Sequence, residues 1–194
     1  EFGTEQPDAA YRWVIDPVDG TRAFLTGRPT FGTLIALLHD GVPVLGILDQ
    51  PITGERWICV LGEATRYVSR LAGQAGTRLC PSLAQAELSC TAPEILEGDY
   101  RPRWEALSRA VKRVSWGGDC YAYGLLALGQ VDIIAECTMK PWDWAALVPV
   151  VAGAGGIVTD WQGNELTLDS DGTVLACGDR ALLPQAVASL RPSP

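Results

Sequence analysis

The chain has 194 residues, 47% of them hydrophobic, and carries 23 aspartates and glutamates against 15 lysines and arginines, for a formal net charge of -8. A chain of this size can form one domain with a substantial core, and its acidic balance argues against a nucleic-acid backbone or an anionic membrane surface as the main partner. An acidic protein that handles phosphate would need cations from elsewhere, so bound metal is expected for that class of function.

The histidine and cysteine content limits the kinds of active site and metal site that the chain can form. The single histidine, His39, adjoins a predicted turn and is expected on the surface, which disfavours a histidine zinc site or a Ser-His-Asp triad. The six cysteines are scattered without a C-x-x-C pair, which favours reduced thiols and a cytoplasmic location. The sequence holds no apolar run long enough for a membrane helix, and it opens at Glu1 without methionine. We therefore expect a soluble protein that lacks part of its N-terminal region.

The first half of the chain predicts antiparallel strands. An apolar and aromatic run at 11–15 predicts a buried strand that leads into a polar loop. Asp40 and Gly41 separate two apolar runs, at 33–38 and 44–49, and Asp-Gly in that position is a strong hairpin signal. Strands at 56–60 and 66–69 are expected to continue the sheet.

The second half alternates strands with helices. Helices are predicted at 99–109, 121–128, 142–154 and 180–190, and strands at 87–91, 112–116, 131–135, 157–159 and 174–177. The helix at 142–154 has the clearest signals, because it follows Pro141, carries Asp143 in its first turn and stops at Gly155. Strands in runs separated by helices indicate a layered α/β sandwich with mixed sheets rather than a simple parallel βαβ series.

The loop after the first strand has the sequence DPVDGT and is the first candidate site. Asp16 and Asp19 stand three residues apart, and two carboxylates with the Val18 carbonyl could bind a hard cation such as Mg²⁺. Gly20 allows a close backbone approach to phosphate, with its own N–H and that of Thr21 as donors. The alternative is an ordinary turn, since Asp, Pro and Gly are common turn residues.

The second candidate site is the segment KPWDWAA at 140–146, where Asp143 falls in the first turn of a predicted helix. An acid at that position favours the helix dipole, so capping alone would explain it. The combination of this segment with the DPVDGT loop favours a role for Asp143 in a metal or catalytic site over a role in capping alone.

Together, the two motifs resemble a known family. WVIDPVDGT at 13–21 resembles the first signature of the inositol monophosphatase family, and WDWAA at 142–146 followed by GAGG at 153–156 resembles the second. The resemblance covers essentially the whole chain. It implies one domain, residues 1–194, with the αβαβα sandwich of inositol monophosphatase and fructose-1,6-bisphosphatase, lacking an N-terminal stretch that the family normally carries.

The resemblance also implies roles for individual residues. The implied metal ligands, for two or three Mg²⁺ ions, are Asp16, the Val18 carbonyl, Asp19 and Asp143. Thr21 would position the attacking water and Asp19 would take part in catalysis, while the amides of Gly20 and Thr21 and the adjacent helix N-terminus would hold phosphate. The implied reaction is in-line hydrolysis of a small phosphomonoester without a phosphoenzyme.

Four further segments resemble the histidinol-phosphate phosphatase branch of the family: TRAF at 21–24, GTLIA at 32–36, DQP with GERW at 49–57, and GGDCYAY at 117–123. Histidinol phosphate carries an ammonium group and an imidazole, which an anionic wall of Asp119 and Glu136 would complement. The alternatives are that Asp119 caps a helix and that Glu136 is a satisfied acid at a strand end.

Departures from the family pattern and rival functions stay open. Glu1 matches the second glutamate of a Gly-Glu-Glu motif, so the family's metal-binding glutamate would lie before the first residue, and weak metal binding or no turnover is expected of this chain. Rival substrates are inositol phosphates, fructose bisphosphate and nucleotide 3'-phosphates. A catalytically silent metal-binding protein is the rival of another class, and a nucleic-acid module is disfavoured. The resemblance further implies a homodimer.

Overall fold

A first sheet of five strands is formed by the N-terminal part of the chain. The computed structural model describes residues 9–70 and 72–191. The strands are β1 (Tyr11–Asp19), β2 (Gly32–His39), β3 (Val42–Gln50), β4 (Glu55–Val60) and β5 (Arg66–Val68). They pair antiparallel in chain order. Asp40 and Gly41 both have positive φ, 49° and 81°, as a tight two-residue hairpin requires, so the predicted turn is confirmed.

A second sheet of five strands is mixed. Its strands are β6 (Glu87–Cys90), β7 (Arg113–Trp116), β8 (Ile133–Glu136), β9 (Ile157–Thr159) and β10 (Val174–Cys177). The order is β7-β6-β8-β10-β9, in which β6 pairs parallel with β7 and β8 while β10 pairs antiparallel with β8 and β9. The predicted layered structure with a mixed sheet is therefore confirmed.

Helices lie between the sheets and outside the second one. They are α1 (Thr21–Leu25), α2 (Tyr100–Ala110), α3 (Asp119–Leu126), α4 (Pro141–Trp144), α5 (Leu147–Gly153) and α6 (Leu183–Ser189). Side chains on β8 alternate: Ile134 packs with α3 and α5 in one core, whereas Ile133 and Ala135 pack with α2 and α6 in another. None of the helices in the described part of the chain is both long and apolar enough to cross a bilayer.

The described residues thus form four layers in the order β-α-β-α. The α/β sandwich is as predicted, but the outer helical layer of the expected αβαβα arrangement is not among residues 9–70 and 72–191. The outer face of the first sheet is accordingly open in this part of the chain, where Tyr11, Trp13 and Ile15 are 61%, 59% and 53% exposed.

Four predicted elements differ from the structure. The strand predicted at 11–15 is present, but it is not buried, since Tyr11, Trp13 and Ile15 lie on its exposed face. The helix expected at 142–154 is two helices, α4 and α5, because Pro149 has no N–H to donate to the carbonyl of Ala145. The DPVDGT segment is not a free loop, since β1 continues to Asp19 with a register break after Asp16. The closing helix begins with a 3₁₀ turn that Asp179 caps by accepting the N–H of Ala181.

Candidate active site

Four of the five acids selected from the sequence line one cavity, and the fifth, Asp16, lies beside Asp19 and Asp143 without lining it. The cavity has a volume of about 190 Å³. Its lining residues come from the end of β1, the segment after β6, α3, the end of β8 with the residues that follow it, and α4. They are Asp19, Thr91, Ile95, Asp119, Cys120, Tyr123, Glu136, Cys137, Thr138, Met139 and Asp143. A larger cavity of about 300 Å³ beside the β2–β3 turn contains none of the selected residues. The convergence of four predicted acids marks the smaller cavity as the candidate site.

The end of β1 is held in shape by its own hydrogen bonds. Oδ1 of Asp16 accepts the N–H of Val18 at 3.0 Å, and the hydroxyl of Thr21 donates to the Val18 carbonyl at 3.2 Å. The hydroxyl of Thr33 on β2 donates to the Pro17 carbonyl at 2.9 Å. Thr33, which the sequence did not single out as a site residue, therefore anchors the segment that carries both β1 acids.

Gly20 lets the end of β1 approach α3 closely. Its φ is +82°, a conformation that favours glycine, and a Cβ at this position would lie 3.0 Å from the Cβ of Asp119. The same residue is the N-cap of α1, a helix that begins at Thr21. A side chain at position 20 would push apart the two elements that carry Asp19 and Asp119.

Asp19 lies at the electrostatic centre of the site. Burial first, and then the negative charges of Glu136, Asp119, Asp143 and Asp16, raise the pKa of Asp19 to about 8. Such crowding of acids disfavours the charged carboxylate unless a cation is supplied. The arrangement is therefore poised for positive charge, from a metal ion or from a substrate.

Asp143 caps a helix and also lines the cavity. Its Oδ2 accepts the backbone N–H of Lys140 at 2.7 Å, so it does cap α4. Burial and the neighbouring charge of Asp16, within hydrogen-bonding reach, raise the pKa of Asp143 against the opposing effect of the Lys140 N–H. Capping uses one carboxylate oxygen, and the side chain still lines the cavity.

Glu136 is 5% exposed at the end of β8. Its Oε1 accepts the N–H of Thr91 at 2.8 Å and its Oε2 accepts the hydroxyl of Tyr123 at 3.0 Å. Burial raises the pKa of Glu136, although its hydrogen bonds with the N–H and side chain of Thr91 and with Tyr123 oppose the shift. Glu136 is thus a satisfied acid at a strand end, as the alternative had it, and also a wall of the cavity, where each oxygen keeps a lone pair for a further donor.

Asp119 does not cap a helix, so that alternative is wrong. It is itself the first residue of α3, has a φ of 45°, and no side-chain hydrogen bond caps the helix. Burial raises the pKa of Asp119, and the charges of Arg28 and Arg22 partly offset the effect. Its carboxylate therefore faces the cavity with cationic side chains nearby.

The sequence analysis missed Tyr123, Thr91 and Cys120 as parts of the site. Tyr123 is four residues after Asp119, and this spacing places two side chains on one helix face, so the signal was present. Thr91 contributes through its backbone N–H and its side chain, and no short motif marks it. The thiol of Cys120 hydrogen-bonds to Asp19 from a position that is only 1% exposed.

Sequence comparison now decides the family. The model of the inositol monophosphatase family matches residues 1–193. The chain belongs to the inositol monophosphatase family. Enzymes of this family are generally metal-dependent phosphatases.

Named relatives and a solved structure agree with this assignment. The chain is 44% identical to the chloroplastic bifunctional phosphatase IMPL2 of Arabidopsis thaliana over 96% of this chain and 55% of the relative. It is 33% identical to a histidinol-phosphatase of Chlorobaculum parvum over 91% of this chain and 67% of the relative. An inositol monophosphatase from Zymomonas mobilis superimposes with a TM-score of 0.92 at 46% identity, covering 97% of this chain and 74% of the other. The chain thus spans little more than half the length of the Arabidopsis relative.

The residues at the cavity suit a hard cation by chemistry and by charge. Carboxylate and carbonyl oxygens are the ligands that Mg²⁺ prefers, and the raised pKa of Asp19 reports a local excess of negative charge. Across residues 9–70 and 72–191, however, no group of three or more His, Cys, Asp or Glu side chains is arranged to hold a metal ion. Glu1, which the resemblance linked to a further ligand, lies outside the described residues. The metal-ligand set therefore stays a prediction.

Proposed function

We propose that this chain is the catalytic part of a Mg²⁺-dependent phosphomonoesterase that hydrolyses histidinol phosphate to histidinol and phosphate. The observation that carries the proposal is the position of Asp19, buried among Asp16, Asp119, Glu136 and Asp143 at one cavity. A site of this negative charge needs cations. Metal ions bound with the phosphate would supply positive charge at one end of the substrate, and the cationic alcohol part would supply it at the other.

The metal side is assigned to the end of β1 and to α4. Asp16, Asp19, Asp143 and the Val18 carbonyl would hold two or three Mg²⁺ ions. When bound, the ions supply Lewis-acid chemistry and offset the charge of the phosphate. The assignment is supported by the oxygen ligands and by the reach between Asp16 and Asp143.

Thr21 is assigned to the attacking water. Its hydroxyl proton points to the Val18 carbonyl, so its oxygen is left to accept a hydrogen bond from a water molecule. In-line attack on phosphorus then needs the phosphate beside Gly20 and Thr21, where a missing side chain leaves room and backbone N–H groups are the proposed donors.

The substrate side is assigned to Glu136 and Asp119. Histidinol phosphate presents an ammonium group and an imidazole, whereas inositol phosphate presents hydroxyls beside its phosphate. Two acids with raised pKa values would favour the cationic alcohol, because a charge-assisted hydrogen bond is stronger than a neutral one. Inositol 1-phosphate is the second candidate, favoured by the likeness to the Zymomonas mobilis enzyme.

We further propose a homodimer in the cytoplasm. All six cysteines are free and buried, which supports a reducing compartment. The homodimer is proposed from the family resemblance alone.

The test is phosphate release from histidinol phosphate and from inositol 1-phosphate, each with and without Mg²⁺. Because weak metal binding is expected of residues 1–194 alone, the assay uses the chain extended upstream of Glu1. This extended chain is expected to prefer histidinol phosphate and to need Mg²⁺, whereas Asp16→Asn should lose turnover of both. Asp40→Asn is the matched control, because Asp40 lies in an exposed turn with a positive φ that asparagine also adopts. Preference for inositol 1-phosphate would keep the metal side and refute the substrate assignment. Release of phosphate from neither ester would favour a silent metal-binding protein.

A further inference from the structure

Glu55 is a buried acid outside the cavity. It begins β4 and is 3% exposed. Its carboxylate accepts three hydroxyl donors: Thr53 at 2.6 Å, Tyr121 at 2.7 Å, and Tyr67. None of the arginines or lysines in the described part of the chain forms an ion pair with it. A buried acid held only by neutral donors at this position calls for an explanation.

The hydroxyl groups keep this acid ionised. Burial by itself raises the pKa of Glu55, but the hydrogen bonds from Thr53, Tyr67 and Tyr121 together outweigh burial and lower it. The carboxylate is therefore an acceptor for all three hydroxyls, and it orients each of them.

One of these donors connects Glu55 to the site. Tyr121 lies on α3, between Asp119 and Tyr123, two residues that line the cavity. Tyr121 ties α3 to the first sheet through Glu55, and Tyr123 ties α3 to the second sheet through Glu136. Two hydrogen bonds to ionised or acidic partners, on opposite sides, thus determine how α3 sits between the sheets.

Packing around Glu55 reinforces the same contact. The ring of Trp57 lies 6.0 Å from that of Tyr121, edge to face. Gly124, also on α3, leaves the space for Trp57, since a Cβ there would lie 2.8 Å from the indole. α3 therefore also approaches the first sheet closely beside the contact of Tyr121 with Glu55.

We propose that Glu55 is a positioning residue for the substrate side of the cavity, acting through Tyr121 on Asp119 and Tyr123. This inference rests on the proposed phosphomonoesterase function. Since Glu55 touches none of the cavity, its loss alters the placement of the alcohol part of the substrate and leaves the end of β1 intact. The effect falls on KM rather than on kcat.

The test compares Tyr121→Phe with Tyr67→Phe in the full chain. Each variant removes one hydroxyl from Glu55, but Tyr67 belongs to β5 whereas Tyr121 belongs to α3. Tyr121→Phe is expected to raise KM for the preferred ester about fivefold, the effect of one hydrogen bond, with kcat changed less than about twofold. Tyr67→Phe should lower the Tm by about as much as Tyr121→Phe does, because each variant loses one hydrogen bond, but it should leave KM unchanged. Glu55→Gln combined with Tyr121→Phe should raise KM no further than Glu55→Gln alone.

Amide hydrogen exchange of α3, measured on the same variants, separates this inference from the proposed function. Faster exchange in Tyr121→Phe but not in Tyr67→Phe supports the link from Glu55 to α3 whether or not the chain turns over. No turnover in the wild type would overturn the proposed function and, with it, the part of the inference that concerns KM. Equal KM and equal exchange in both variants of an active chain would overturn the positioning role.

Discussion

The two sheets differ in how they are assembled, and each supplies a different part of the site. The first sheet is a meander whose strands pair in chain order, with one face open in the described residues. The second sheet pairs strands that are distant in sequence and is covered by helices on both faces. Asp16 and Asp19 come from the first sheet, whereas Glu136 comes from the second. The two β1 acids of the proposed metal side are thus held by local structure, whereas Asp143 and the proposed substrate side reach the site through long-range assembly.

The largest expected effect separates these two sides by activity. Under the proposed function, Asp19→Asn should lower kcat for both esters by about 10²–10³-fold, as the loss of one group that stabilises the transition state typically does. Glu136→Gln should instead raise KM for histidinol phosphate about tenfold, since a charge-assisted hydrogen bond becomes a neutral one. Steady-state kinetics on histidinol phosphate and inositol 1-phosphate measure both. If Glu136→Gln abolished turnover of the two esters equally, Glu136 would belong to the reaction and not to substrate selection.

The second prediction concerns the single covered face of the first sheet. Gly46 on β3 faces the junction before α5, and a Cβ there would lie 2.0 Å from the carbonyl oxygen of Ala146. Because backbone must move to accept it, Gly46→Ala should destabilise the chain by about 3 kcal/mol or more. At about 2–4 °C per kcal/mol for a chain of this size, the Tm should fall by roughly 6–12 °C, as measured by thermal unfolding.

Gly76→Ala is the control for Gly46→Ala. A Cβ at Gly76 would meet nothing within 4 Å. Its Tm should stay the same or rise slightly, because alanine restricts the unfolded chain. A fall of similar size in both variants would mean that glycine flexibility, and not the contact with Ala146, governs the effect.

The contrast between the sheets also explains what the sequence could predict. The hairpin of β2 and β3 follows from Asp40 and Gly41, which are local and chemically distinctive. The order of the second sheet has no comparable signal, since β6 pairs in parallel with strands that are more than twenty residues away. Pro149 is a local signal for the break between α4 and α5, whereas the alanines around it favour one continuous helix.

The candidate site divides in the same way. The acids at Asp16, Asp19 and Asp143 could be selected from short motifs, although their metal roles stay a prediction. Of the partners of Glu136, Tyr123 has a local signal in its spacing from Asp119. Thr91 has none, because it meets Glu136 through the pairing of β6 with β8, which are distant in sequence. Sequence patterns identify which groups carry charge, and only the assembled sheets determine which groups surround them.

The third prediction compares an ion pair from each sheet. Beside the second sheet, Arg78 binds both oxygens of Asp132, whose side chain is 1% exposed, while Arg56 and Asp49 on the first sheet are 52% and 26% exposed. Arg78→Met should cost about 2 kcal/mol, since a buried charge loses its partner, and Arg56→Met less than about 1 kcal/mol. Urea unfolding at pH 7 measures both.

The pH dependence of these variants sharpens the test. Burial raises the pKa of Asp132, but its hydrogen bonds with Arg78 and the N–H of Glu87 outweigh burial and lower it. A lowered pKa contributes stability above the ordinary value of about 4, and this stability is lost as the pH falls through the folded-state pKa. The difference between wild type and Arg78→Met should therefore shrink in acid. A difference that is constant from pH 7 to pH 3 would point to lost packing instead.

The smallest expected effect is a gain in stability at the site itself. The pKa of Asp19 is raised to about 8, so the folded chain binds this proton more tightly than the unfolded chain does. The contribution of Asp19 to the free energy of unfolding is therefore highest below about pH 4, near the ordinary pKa of an aspartate. It falls as the pH rises from about 4 towards 8 and stays low above about pH 8. Asp19→Asn removes the titration and should be more stable than wild type at pH 8 without metal, on the order of 1–2 kcal/mol, with no difference near pH 4.

Mg²⁺ should reverse that order, because only the wild type gains from a cation beside Asp19. Thermal unfolding at pH 4 and pH 8, with and without Mg²⁺, measures the crossover, and Asp40→Asn in an exposed turn should follow the wild type throughout. If Asp19→Asn showed the same pH dependence as wild type, the crowding of acids would not strain the fold. The end of the first sheet would then be as well satisfied as Glu136 on the second, and the contrast between the two sides of the site would lie in their assembly alone.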